Sequence, residues 1–71
     1  MLNTILTSQR NAEGMRIVVR EDTDIALDIQ TRFMTHLEDT KGNFYSGHYV
    51  LHLSNAHEDY LDRVIQSKCG L

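Results

Sequence analysis

The chain has 71 residues, 41% of them apolar, and a formal net charge of −3. This is one domain, too apolar for disorder, with no stretch near the roughly 20 apolar residues of a membrane span. Its single cysteine, Cys69, excludes an intrachain disulfide, and its excess of acids over bases argues against coating duplex nucleic acid, which calls for surplus Lys and Arg.

A domain this small buries only roughly 60% of the surface its unfolded chain exposes. A metal, a partner or good packing must supply the rest of its stability. The lone cysteine fits a reducing compartment. The opening MLNTILTSQR has no basic leader and too short an apolar core for a signal peptide. The expected location is the cytoplasm.

Residues 10–14, RNAEG, are turn-like because Asn11 and Gly14 tolerate unusual backbone angles. They separate NTILTSQ from MRIVVRE, which are rich in β-branched residues and can pair as a hairpin; the first segment can instead be a frayed arm or a short helix. In the second segment Met15, Ile17 and Val19 share one face, and Arg16, Val18 and Arg20 the other. Ile25, Ile29, Phe33 and Leu37 then recur every four residues, with Ala26 and Met34 beside them, which predicts an amphipathic helix. Asp22 or Thr23 caps its start, Asp22 and Asp24 complement its dipole, and Lys41 followed by Gly42 ends it.

NFYSGHYVLHLS predicts a strand with Tyr45, Gly47, Tyr49, Leu51 and Leu53 toward the core. Phe44, His48, Val50 and His52 face away, and Gly47 marks a bulge or a close approach. The last segment begins with a capping box, Asn55 and Glu58. Tyr60, Leu61, Val64 and Ile65 form its buried face, Cys69 extends it, and Lys68 and Gly70 mark its end. The expected fold is α+β in the order β-β-α-β-α. It is a two-layer sandwich: a small three-stranded sheet (two-stranded without the first segment) carries two helices on one face. A right-handed crossover sets the second and third strands parallel where they are neighbours.

The histidines do not form a centre by spacing. His48 and His52 share a strand face but lie ~13 Å apart at about 3.3 Å per residue, whereas zinc donors sit about 2 Å from one ion. His57 and Cys69 are ~18 Å apart along the last helix, and His36 falls on the outer side of the first. No CxxC or HExxH motif occurs. A metal shared between subunits stays open; otherwise no metal and no cofactor is expected. Cys69 sits at a helix end that disfavours the thiolate. Ser46 and Ser54 lack the glycine elbow of a catalytic serine. A chain of this length leaves little room for the roughly 300 Å³ or more of a small-molecule pocket, so a non-enzymatic role is expected.

Two surfaces remain. The sheet face away from the helices carries Arg16, Val18, Arg20, Phe44, His48, Val50 and His52, which suits a second protein or, as the alternative, stacked single-stranded RNA or DNA. The helix exteriors carry Asp28, Glu38, Asp39, Glu58, Asp59 and Asp62, which can steer a basic partner. A three-stranded sheet with open edges and one bare face is marginal alone. The expectation is therefore a small cytoplasmic regulator, inhibitor or adaptor that binds protein, itself included as a homodimer. Its size fits accessory proteins such as phages carry.

Overall fold

The structure is a computed structural model that describes residues 2–23 and 32–71. Four strands, β1 (Leu2–Thr7), β2 (Arg16–Asp22), β3 (Phe33–Glu38) and β4 (Phe44–Val50), form an antiparallel sheet in the order β1-β2-β3-β4. One helix, α1 (Leu53–Gln66), packs on it. The class is α+β, but the described order is β-β-β-β-α. The expected three-stranded sheet with two helices is therefore corrected to four strands and, among the described residues, one helix. The expected parallel pairing is corrected as well: β3 lies between β2 and β4, and every pairing is antiparallel.

The correction has a physical reason. A spacing of four is close to the helical 3.6 and is also a multiple of the strand period of two. Phe33 and Leu37 therefore share a face in either conformation. In FMTHLE the strand wins: Phe33, Thr35 and Leu37 turn toward α1, while Met34, His36 and Glu38 turn to the opposite face, open in the sense that α1 does not cover it, although Val18, Met34 and His36 at its centre are buried. His36 thus sits in a strand at 8% exposure and not on the outside of a helix. Ile25, Ala26, Asp28 and Ile29, from the first half of the expected helix, lie outside the described residues.

Two hairpins use the same loop. Asn11 pairs its N–H with the Met15 carbonyl, and its Oδ1 accepts the N–H groups of Glu13 and Met15. Asp39 pairs its N–H with the Asn43 carbonyl, and its Oδ1 accepts the N–H groups of Lys41 and Asn43. Gly14 and Gly42 occupy the left-handed region at φ 83° and 85°. Both are three-residue hairpins with glycine at the left-handed position. The loops touch, since a Cβ on Gly14 would come within 2.7 Å of Thr40 Cγ2. Lys41 and Gly42 therefore close a hairpin and do not stop a helix. The N–H of Asn43, joined by the Tyr45 hydroxyl and the Lys41 N–H, holds the Asp39 carboxyl down to about 2.

Ile17 and Val19 of β2 form the core with Ala56, Tyr60 and Val64 of α1; Phe33, Leu37, Val50, Leu61 and Cys69 pack around it. Ile65, expected in the buried face, points outward at 76% exposure. The helix begins earlier than the Asn55 capping box predicts: His52 is the N-cap, with no side-chain capping bond. At its other end Lys68 takes the left-handed conformation at φ 57°. Lys68 and Cys69 donate their N–H groups to the carbonyls of Ile65 and Val64, which is a Schellman motif built on lysine. The tail returns to the first hairpin through Gln9 N–H to the Gly70 carbonyl and Asn11 Nδ2 to the Ser67 carbonyl.

Candidate functional site

A bulge in β4 decides which predicted residues meet. Thr35 pairs with His48 and Leu37 with Tyr45, so Ser46 and Gly47 together oppose His36 alone. Ser46 takes φ 53°. The extra residue inverts the alternation beyond it. Phe44 stays on the open face, where its ring lies 4.3 Å from the Arg20 guanidinium carbon. His48 and Val50 turn to the helix side, and Tyr49 turns to the open face, contrary to plain alternation. His52 has left the sheet for the start of α1. The seven-residue face is thus divided: Arg16, Val18, Arg20 and Phe44 lie together, and His48, Val50 and His52 lie elsewhere.

The open face gains Met34, His36 and Tyr49. His36 meets the rings of Phe44 and Tyr49 edge-on at 5.6 and 5.8 Å. A Cβ on Gly47 would lie 2.6 Å from His36 Nε2 and 2.9 Å from the Tyr49 hydroxyl, so only glycine fits beneath them. Burial, then the Arg20 and Arg63 charges and His48, lowers the His36 pKa from its ordinary value. The arginines here are largely spent: Arg16 pairs with Glu38, and Arg20 lies over Phe44. Arg20 Nε and His36 Nδ1 are buried without a hydrogen-bond partner.

On the helix side, a polar cluster replaces apolar packing between β3, β4 and α1. Arg63, 6% exposed, donates to Thr35 Oγ1 at 3.0 Å, and Thr35 donates to Asp59 Oδ2. His48 Nδ1 meets the same carboxylate oxygen at 2.9 Å. Burial raises the Asp59 pKa, but the Thr35 and His48 hydrogen bonds and the nearby charges outweigh it, and the net direction is down. No sequence signal marks this cluster, because Thr35 and Arg63 meet across 28 positions of chain. It clamps the helix to the sheet, and its one hydroxyl, that of Thr35, is engaged by Asp59 and Arg63 and buried.

The third feature is apolar. The helix packs on β2, β3 and β4 and makes no close backbone approach to β1. The uncovered strip between β1 and α1 is a cavity of about 210 Å³ lined by Ile5, Leu6, Val19, Leu53 and His57. A second bulge, between Thr4 and Leu6, adds Ile5 beside Leu6 in this wall. Ile5, Leu6 and Leu53 are exposed, at 45%, 38% and 46%. From Leu53 and His57 a ridge of every fourth residue continues to Leu61 and Ile65, drifting outward by about 40° per step. The volume suits one large apolar side chain and is below the roughly 300 Å³ of small-molecule pockets. The groove has no local signal, because NTILTSQ is legible only as a hairpin strand, an arm or a short helix, and nothing in it says where α1 lies beside it.

Of the acidic candidates, Glu58 and Asp62 are exposed on α1, and Asp59 is tied into the polar cluster. Glu38 pairs with Arg16, Asp39 caps its hairpin, and Asp28 is outside the described residues. Among the described residues no three His, Cys, Asp or Glu side chains group as metal ligands, and no helix is long and apolar enough to cross a membrane. No family model, curated protein or solved structure matches the chain.

Proposed function

We propose that this protein catalyses no reaction and acts in the cytoplasm by docking another protein, as a regulator, inhibitor or adaptor. The observation that carries this reading is the strip between β1 and α1, where an end strand and an apolar groove lie uncovered together. Contiguous exposed apolar surface of this kind marks interaction sites, and end strands template further pairing. A second copy is one candidate occupant. A two-fold contact centred on α1 would bring Glu58 and Asp62 against the same residues of the other copy, which disfavours it.

A second reading is single-stranded nucleic acid on the open face, favoured by the Arg20–Phe44 stack and the exposed Tyr49 ring. Against it stands the pairing of Arg16 with Glu38, which leaves little charge for phosphates. A pull-down from the source lysate, with and without nuclease and at rising salt, separates the two. Protein that survives nuclease and moderate salt, and is lost from Leu6→Asn, supports docking at the groove. Nucleic acid that elutes with salt and is lost from Arg20→Gln supports the open face.

A further inference from the structure

The two walls of the groove differ in charge. The β1 wall, LNTILT, carries none. On the α1 wall, Glu58 neighbours Leu61 and Asp62 neighbours Ile65, each three positions along the helix, so both carboxylates stand beside the apolar ridge on its outer side. Among the described residues neither acid has an ion-pair partner. The one arginine of α1, Arg63, is buried against Thr35 on the sheet side, and Lys68 lies past the helix end.

We infer that the groove takes a basic amphipathic helix of another protein, with one large apolar side chain seated among Ile5, Leu6, Val19, Leu53 and His57 and with Lys or Arg facing Glu58 and Asp62. This rests on the docking reading and adds the chemistry of the partner. The ridge from Leu53 to Ile65 spans ~18 Å at about 1.5 Å per residue, enough for three turns of a bound helix. Apolar anchors at every third or fourth position are what such a groove reads. The carboxylates lie outside the cavity, where they select sign and speed association more than they add affinity.

The test is fluorescence anisotropy of the full chain with three labelled helical peptides: leucine with lysine, leucine with glutamate, and lysine with glutamine, which lacks apolar anchors. The leucine–lysine peptide is expected to bind. Leu6→Asn should weaken it about tenfold, by loss of one buried apolar contact. Ile65→Asn, at a site too exposed to disturb folding, should weaken it roughly two- to fivefold, and Glu58→Gln and Asp62→Gln should each do the same. Equal binding of the leucine–glutamate peptide, lost in Leu6→Asn, overturns the charge selection and leaves the docking reading standing. Equal binding of the lysine–glutamine peptide, indifferent to Leu6→Asn and Ile65→Asn, reduces the contact to unspecific attraction and overturns the inference. Binding of none of the three also overturns it, and the nuclease-treated pull-down then decides separately whether any protein docks there.

Discussion

Thr35 of β3 accepts a hydrogen bond from Arg63 and gives its own hydroxyl proton to Asp59, so one buried threonine joins the only two charges that α1 presses against the sheet core. Thr35→Val keeps the shape and β-branching but leaves a buried guanidinium and a half-buried carboxylate each short of a partner. Stability should fall by about 1–3 kcal/mol, the cost of buried polar groups left unsatisfied. A lower urea midpoint at unchanged slope checks this.

The same cluster makes stability depend on acid. Asp59 titrates below its ordinary 3.8 in the fold, so its contribution is whole above that value and is lost as pH falls through its lower folded value. His36 also titrates below its ordinary 6.5, through burial first and then Arg20, Arg63 and His48. Unfolded chains therefore take up protons at His36 before folded ones do. Stability should begin to fall below about pH 6.5, and His36→Gln should flatten that part of the curve. Thermal unfolding across about pH 7 to pH 5 reads it. An unchanged slope in the variant would remove His36 as the cause.

Three backbone positions should respond differently to substitution. Gly42→Ala meets open space but sits at φ 85°, so it should cost roughly 1–2 kcal/mol of conformational energy. Gly47→Ala meets His36 and Tyr49 and should also disturb the open face, visible as shifted Tyr49 ring resonances. Lys68→Gly relieves the left-handed lysine of the Schellman turn and should raise stability by about 0.5–1 kcal/mol after the entropy lost to the freer unfolded chain. Melting curves of the three variants rank these effects.

The sequence carries the first loop, the two faces of β2 and the last helix plainly, while it leaves NTILTSQ open between a strand, an arm and a short helix. Each has a local signal: Asn11 and Gly14 in the loop, alternation in MRIVVRE, and apolar residues at helical spacing from Tyr60 to Val64. The expected helix misleads because Phe33 and Leu37 satisfy both periods. The better signal there is the match between Asn11-x-x-Gly14 and Asp39-x-x-Gly42, one loop chemistry used twice. The interaction face misleads for another reason. Gly47 flags a bulge, but flanking residues do not say where the extra residue falls, and one residue of slip sends His48 and Val50 to the opposite side. The groove depends on where α1 lies across the sheet, which is set by the long-range clamp of Thr35, Asp59 and Arg63.

Docking of protein at the β1–α1 groove is read by photocrosslinking in the source cells, from a diazirine leucine analogue placed at Leu6 of the groove beside a matched photoreactive probe at Tyr49 of the open face. A protein adduct is expected from position 6, weakened by Ile65→Asn, and none of that size from position 49. Nucleic-acid adducts from position 49, with no protein captured at position 6, would contradict docking at the groove.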